Sequence, residues 1–514
     1  MPSRRPSGQV QPSSRQPTFS DEVPTPTTGR RQKRREVTAI DDLVSDFGFL
    51  SVNATARDFH GFTQAMSYAR LILWSCSKDK LPEGTLKALP SRADGMALVQ
   101  FYLSNVFALL PAFNEATLWT AFENVYSKGS RHSSPLDYWM VRMVFAIANA
   151  SMSRRSGDEH YLESINHVCA ALDYSEHVLH PGNISGVQAL LLLAEYAMLA
   201  PHHFDSWQLI GAASRAMTDL GYHQDPQRGA QMDRSMLELR RKIFYCIYVL
   251  DRSTSLVQTR AFSFSDASAN VKVPFGKQPG KTSVSSEIAT SPPQQDFLPS
   301  YEQASDLVDL RKLQSAWYTE LFQTSRETWN EPYPELWRVC EGMRKWFAGI
   351  SPKTPPHMRQ FFELDLLYSY VYVLSPSSRV PRIHQYAQKL IFEYCIRYTD
   401  LMLHLIDDPA YTAPLTFYDA MRVYMTGRQF IDVLSHSVDL LLSGAVPAPP
   451  ELKSGATSAP ALPVAPLPPG EPTQRFNTYR AINCIKQTMD CMGRFGVRWG
   501  YMRYVSFAKI ATDC

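Results

Sequence analysis

Three consecutive segments between residues 187 and 257 decide the fold class. The first, VQALLLLAEYAMLA at 187–200, is apolar around nearly its whole circumference, which is typical of a buried helix. The second, SWQLIGAASRAMTDL at 206–220, repeats large apolar residues at helical spacing, and Gly221 ends it. The third, MLELRRKIFYCIYVLDRSTSLV at 236–257, places its apolar side chains on one helical face. These segments predict three packed α-helices.

The same helical period continues on both sides, and no segment shows sustained period-two alternation. The pattern predicts further helices over 59–76, 94–110, 114–127, 135–155, 158–179, 301–324, 333–349, 357–374, 383–407, 416–443 and 476–511. The predicted fold is therefore all-α, a multi-helix array.

Three polar or proline-rich stretches divide this array. Residues 1–39 are rich in Pro, Ser, Thr and Arg, a composition typical of a disordered tail. Residues 275–300 and 445–475 are predicted linkers, the second with prolines too frequent for a helix. The predicted divisions are a basic tail at 1–39, a helical domain at 40–274, a linker at 275–300, a second helical part of the same body at 301–444, a linker at 445–475 and a C-terminal helix at 476–514.

Positive charge is concentrated at the N-terminus. Residues 1–40 hold eight Lys or Arg and three Asp or Glu, a net charge of +5, whereas the whole chain carries +3. The remaining residues are therefore slightly acidic, which argues against phosphate binding by the helical body. The basic run consists of Arg30, Arg31, Lys33, Arg34 and Arg35. It suits nuclear import or phosphate contact, with a solvated charge run as the alternative.

The eight cysteines are scattered through apolar segments, and the N-terminus lacks the apolar stretch of a signal peptide. This distribution indicates a reducing compartment and thiols without disulfides. The longest apolar run, 187–200, is too short to span a bilayer. No membrane partner is expected.

Two groups of residues favour an alternative, an all-helical metal-dependent enzyme. One is a set of histidines and the other an acidic run: His177, His180, His202, His203 and His223, and Asp41, Asp42 and Asp46. Zinc needs three or four converging ligands, yet no His-Glu-x-x-His or Cys-x-x-Cys occurs, and no second acidic motif for Mg²⁺ is found. Nucleophile elbows and phosphate loops are also missing from the sequence. We therefore expect no enzyme and no metal or cofactor in this chain.

Residues 162–274 resemble the regulatory, or middle homology, region of fungal transcription factors. The resemblance rests on the buried stretch at 190–196, on WQLIGAASRAM at 207–217 followed by DLGYHQDP at 219–226, and on ELRRKIFYCIYVLDR at 238–252. A further piece contains Thr259-Arg260-Ala261, Asp266 and Val271-Lys272-Val273-Pro274. The family usually has Gly-Arg-Pro where this chain has Thr259-Arg260-Ala261. With the acidic segment at 41–48, the chain looks similar to xylanolytic-activator-like members.

The residues that carry the resemblance form the predicted structural signature: Trp207, Arg215, Arg240, Arg241, Asp251, Arg252 and Arg260. Arg241 and Arg252 are eleven residues apart, which places both on one helical face. Such arginines pair with carboxylates or pack on aromatic rings of a neighbouring helix. We expect them to lock helices together, with lining of an effector pocket as the alternative.

The resemblance implies a nuclear transcription regulator acting on RNA polymerase II genes. Family members usually bind zinc through six cysteines arranged as two Cys-x2-Cys-x6-Cys halves, and no such cluster occurs in these 514 residues. The spacing of Cys484 and Cys491 matches one arm only by coincidence. Zinc is therefore expected only if a cluster lies upstream. DNA would be reached through a partner or that missing module. Transcriptional co-regulators, a homodimer and a small-molecule effector are the other implied partners, and a cytosolic scaffold with the same fold is a further alternative.

Overall fold

The computed structural model describes residues 67–82, 88–127, 133–226, 232–275, 301–453, 457–463 and 465–500. Just past the middle of the chain, residues 276–300 separate an N-terminal from a C-terminal group of helices. The first group contains α1 (Tyr68–Cys76), α2 (Arg92–Tyr102), α3 (Glu115–Tyr126), α4 (Pro135–Met152), α5 (Glu159–Leu172), α6 (Ser175–Val178), α7 (Ile184–Leu199), α8 (Ser206–Asp219) and α9 (Arg234–Val257). The second contains α10 (Glu302–Phe322), α11 (Tyr333–Ala348), α12 (Pro356–Leu374), α13 (Gln385–Asp407), α14 (Phe417–His436), α15 (Val438–Ser443) and α16 (Thr473–Trp499).

The described residues form helices and connecting loops, with only two isolated backbone bridges and no strand among them. The predicted all-α fold is confirmed. All described helices belong to one compact unit that begins at Met66, and their buried apolar side chains form one continuous core.

The three helices that decide the fold begin at polar capping residues. The Asn183 side chain accepts a hydrogen bond from the Gly186 backbone at the start of α7. Asp205 caps α8 by accepting from two backbone N–H groups, and Asp233 caps α9. Each cap satisfies donors that the first helical turn leaves without an intrahelical partner.

Several helix boundaries differ from the sequence-based expectation. The helix predicted over 158–179 is divided into α5 and α6 at residues 173–174, and the one predicted over 416–443 is divided at Ser437. Ser437 has φ −143° and ψ 40°, outside the helical region, and its hydroxyl donates to Gln388 on α13. The predicted helix at 94–110 begins at Arg92 and continues as a π-helical turn over Leu103–Phe107. Apolar periodicity does not register such breaks, because the same face stays buried on both sides.

Two central helices organise the packing. In the N-terminal group α4 packs against α2, α3, α5 and α7, and α7 packs against α8. In the C-terminal group α13 packs against α12, α14 and α16. The two groups meet where α9 contacts α10 and α14. The first half of the core is thus joined to the second through the helix that carries most of the signature arginines.

The proline-rich stretch before α16 lies against this body. Its described residues form no helix before Thr473, and Leu452, Ala459 and Leu462 pack on the core. The Tyr386 hydroxyl of α13 donates to the Pro460 carbonyl at 2.6 Å. This contact fixes the course of an extended segment that has no internal hydrogen-bond ladder of its own.

Candidate functional site

Arg252 of α9 lies at the centre of the predicted signature. Its side chain is fully buried, and its guanidinium lies 4.3–4.4 Å from the ring centroids of Tyr248, Phe262 and Phe264. Three aromatic faces therefore surround a permanent positive charge, an arrangement that stabilises the cation after water has been removed.

Carboxylates balance the charge of Arg252. One terminal nitrogen donates to Asp251 at 2.6 Å, and the other donates to Asp266 and to the Phe264 carbonyl, each at 2.8 Å. Nε donates to the Ser315 hydroxyl of α10 at 3.3 Å. One side chain thereby holds together α9, the loop that follows it and α10.

Asp251 fixes the same loop from the other side. Its buried carboxylate accepts from the Ser263 backbone N–H at 3.1 Å. Burial raises the pKa of Asp251, while Arg252 and Ser263 oppose that rise. The pair of neighbouring charges is retained because each satisfies backbone groups of the loop as well as the other charge.

Arg241 and Arg240 fix the segment between α8 and α9. Arg241 forms a bidentate pair with Asp225, with distances of 2.9 and 2.5 Å, and Asp225 also accepts from the Lys272 backbone N–H. Burial raises the pKa of Asp225, but these hydrogen bonds more than offset burial and hold that pKa below its usual value. Arg240 donates to the Gly221 carbonyl at 3.1 Å and lies over the Tyr222 ring.

Arg260 and Trp207 meet across the helix ends. The Arg260 guanidinium lies 4.2 Å from the Trp207 ring centroid, and the Arg260 carbonyl accepts from Tyr318 and Gln323 of α10. Thr259, just before it, has φ +54°. This is the position at which the resembling family usually has glycine, and a left-handed backbone conformation is the one that glycine adopts without steric cost.

Six of the predicted signature residues make contacts along α8, α9 and the adjoining loops. They do so in three sets: Arg240 and Arg241, Asp251 and Arg252, and Trp207 with Arg260. The seventh, Arg215, lies exposed on α8. Arg30, Arg31, Lys33, Arg34 and Arg35 lie outside the described residues, as do Asp41, Asp42 and Asp46.

A second buried charge network was not predicted from the sequence. Asp365 of α12 forms an ion pair with Arg311 of α10 at 2.8 Å and lies 3.3 Å from Arg422 of α14. Arg422 also pairs with Asp419 at 2.9 Å. Burial raises the pKa of Asp365, but the two arginines more than offset this and hold it below its usual value. Arg422 also donates to Ser253 of α9, so the network reaches the signature helix. The available signal was a lone Asp within the apolar stretch LDLLYSYVYVL at 364–374.

No metal site forms in the described part of the chain, where no three His, Cys, Asp or Glu side chains are grouped to hold an ion. Of the histidines, His177 and His180 are exposed and His203 is buried. Burial lowers the pKa of His203, which favours the neutral ring. The seven described cysteines form no disulfide, and Cys484 and Cys491 lie buried on α16. None of the described helices combines the length and apolar character that a bilayer crossing requires.

A match to a known protein family covers the chain from α2 to the start of α11. Residues 99–335 match the model described as the fungal specific transcription factor domain. The match covers a little under half of the chain. The predicted family resemblance is confirmed, and the domain includes the whole Arg252 cluster. The finer likeness to xylanolytic-activator-like members stays a prediction.

Curated relatives carry related names. The chain is 22% identical to the positive regulator of purine utilization from Emericella nidulans, with 64% of this chain and 38% of that protein covered. It is also 22% identical to pyrimidine pathway regulatory protein 1 from Saccharomyces cerevisiae, with 59% and 34% covered. A Zn(2)-C6 fungal-type transcription factor from Macrophomina phaseolina is 23% identical, with 42% and 30% covered. The first two names denote regulators, and the third denotes a transcription factor. The chain spans between about a third and two-fifths of the first two relatives, and no solved structure matches it.

Proposed function

We propose that this chain is the regulatory part of a nuclear transcription regulator acting on RNA polymerase II genes. The observation that carries the proposal is the match of residues 99–335 to the fungal specific transcription factor domain. The named relatives support it, because they are described as regulators of transcription or of metabolic pathways.

The geometry supports an architectural role for the signature arginines within the domain. The signature arginines donate hydrogen bonds to loop carbonyls and carboxylates and lie over aromatic faces within the domain. In this proposal they lock α8, α9 and α10 into one rigid unit, on which co-regulators or a second copy of the chain bind. Contact with DNA is assigned to residues 1–40, to a partner or to a six-cysteine zinc module elsewhere, since the helical body is slightly acidic.

A fusion experiment tests regulation directly. The full chain is fused to a heterologous DNA-binding domain, and transcription from a reporter carrying that domain's binding site is measured. We expect the fusion to change reporter output several-fold in either direction, and an Arg252→Met fusion to lose the effect. An Arg326→Met fusion is the control, because Arg326 forms an exposed ion pair. A nuclear, stably expressed fusion with no effect on the reporter would contradict the proposal.

Imaging tests the proposed nuclear role of the basic run. A tagged chain with Arg30, Arg31, Lys33, Arg34 and Arg35 all changed to Ala is expected to lose most of its nuclear enrichment. The matched control changes Arg4, Arg5 and Arg15 to Ala, which removes positive charge from the same tail. Exclusion of the unmodified chain from the nucleus would instead favour the cytosolic scaffold.

A further inference from the structure

A cavity lies away from the signature cluster, where three distant segments meet. It has a volume of about 430 Å³ and is lined by the end of α4, by the segment from the end of α13 to Leu415, and by the last turns of α16. Cavities of roughly 300–1,000 Å³ are the size that small-molecule ligands occupy.

Arg498 lines this cavity and differs from the other buried arginines described above. Arg252, Arg311 and Arg422 all pair with carboxylates. Arg498 donates to the carbonyls of Ala150 at 2.6 Å and Leu415 at 3.0 Å, and no carboxylate pairs with it in the part of the chain that the structure describes. Two of the five N–H donors of a guanidinium are thereby used. Burial lowers the pKa of Arg498 to about 10, so it remains charged at neutral pH.

The cavity lining contains three arginines and two aspartates, which gives a net charge of +1. Arg494 and Asp407 on the wall form an ion pair with each other. Asp408 accepts from the Ala410 backbone N–H at 2.8 Å. Arg154, at the end of α4, is exposed and adds a second positive charge beside Arg498. The charges of Asp158 and Asp419 also act on Arg498, but neither carboxylate forms an ion pair with it among the described residues. Burial of the guanidinium costs free energy, and an anion entering the cavity would offset that cost.

Apart from Ser153, the rest of the lining is apolar. It is made by Ile406, Pro409, Leu415, Phe495 and Val497. An apolar wall next to an arginine that has no paired carboxylate matches a molecule with a hydrocarbon body and one carboxylate.

We propose that this cavity binds a small organic carboxylate with an apolar body, with Arg498 as the anchor and Arg154 as a second, exposed contact. Such a ligand would touch α4, the loop before α14 and α16 at once. Binding would therefore hold the C-terminal helix on the body. That this would regulate transcription rests on the proposed function. The binding itself does not.

Titration calorimetry on the purified full chain tests the proposal with benzoate, 2-naphthoate and hexanoate. At least one of these should bind saturably at one site per chain. The amide of the bound acid should bind at least about tenfold more weakly, since it cannot form a charge-assisted pair. Arg498→Met should weaken binding by about tenfold or more, and Arg154→Gln by a smaller factor.

Two further variants keep the test decisive. Arg475→Met removes an exposed arginine from the same helix, far along the chain from the cavity, and should leave affinity unchanged. Val497→Trp places a large side chain on a partly exposed wall position and should abolish binding even if Arg498→Met does not fold. Absence of saturable binding by all three acids would overturn the proposal, and so would affinity that neither Arg154→Gln nor Val497→Trp alters. Both results are independent of any reporter assay, so a failure here is distinguishable from a failure of the proposed function.

Discussion

At the scale of single residues, the domain depends on charged groups that have been removed from water and then satisfied. Arg252 is the clearest case, because one guanidinium contacts three rings, two carboxylates, a carbonyl and a hydroxyl. Its removal would take a hydrogen-bond donor from each polar partner and the countercharge from Asp251.

Replacing Arg252 by Met keeps much of the volume and removes the charge. We expect a loss of about 3–5 kcal/mol in the free energy of unfolding, since Asp251 would stay buried without its countercharge. Chemical denaturation followed by tryptophan fluorescence measures this. Arg338→Met, on an exposed pair with Glu335, should change stability by less than about 0.5 kcal/mol. Equal effects of the two changes would argue against this account.

Thr259 offers a prediction in the opposite direction. A β-branched residue at φ +54° costs free energy that glycine does not. We expect Thr259→Gly to stabilise the protein by about 0.5–1 kcal/mol, after allowance for the greater freedom of glycine in the unfolded chain. Thermal unfolding is the measurement. Thr120→Gly, within α3, should be destabilising, because there glycine weakens a regular helix. A loss of stability in both variants would refute the strain argument.

Glu195 predicts a pH dependence. Its side chain on α7 is buried and accepts a hydrogen bond from the Tyr102 hydroxyl at 3.0 Å. Burial raises its pKa to about 8, from 4.5 in a solvated chain, while the Tyr102 bond acts in the opposite direction. The folded state therefore holds this proton more tightly than the unfolded state, and stability falls as pH rises from about 4.5 to about 8.

Glu195→Gln removes this titration and keeps the shape of the side chain. The variant's melting temperature minus that of the unmodified protein should increase from pH 5 to pH 8. Glu335→Gln, an exposed carboxylate on α11, serves as the control and should show a much smaller change between those values. A pH-independent difference for Glu195→Gln would contradict the burial of an ionisable carboxyl at this position.

At the scale of elements, close helix contacts depend on small residues. Gly427 of α14 faces Thr488 of α16, and a Cβ atom at Gly427 would lie 2.6 Å from the Thr488 methyl carbon. Thr488 is itself held by its hydroxyl, which donates to the Cys484 carbonyl at 2.7 Å. The neighbour therefore has little freedom to move away.

Alanine substitution at two helical glycines should give opposite results. Gly427→Ala should lower stability by about 1–3 kcal/mol through steric overlap, despite the better helix propensity of alanine. Gly493→Ala, on the exposed side of α16 with no atom within 4 Å, should raise stability by up to about 1 kcal/mol. Melting temperatures of both variants test this, and stabilisation by Gly427→Ala would show that α14 and α16 are not closely packed there.

At the scale of the whole molecule, the end of α16 is fastened to helices more than 200 residues away. The Trp499 indole donates to the Leu199 carbonyl of α7 at 2.8 Å, and Arg498 donates to Ala150 of α4. The last described helix thus closes the N-terminal group of helices and joins it to α13 and α14.

Trp499→Ala should expose how much depends on this closure. We expect a loss of about 3–5 kcal/mol, typical of removing a buried aromatic side chain. Amide hydrogen exchange should accelerate most over 490–499 and less over the start of α16, which also packs on α13. Tyr479→Ala, an exposed aromatic residue on the same helix, is the control. Unchanged exchange over 490–499 would show that Trp499 does not hold the helix end.

The helical class, the buried character of 187–200 and the family resemblance could be predicted from the sequence. These follow from periodicity and local backbone chemistry, which act between residues a few positions apart. Only the folded chain shows that Asp365 meets Arg311 and Arg422, that Ser437 interrupts a helix, and that Arg498 lines a cavity with no described carboxylate paired to it. Each of these depends on segments 50 to 350 residues apart coming together, and burial after that assembly sets the free energy of every charge involved.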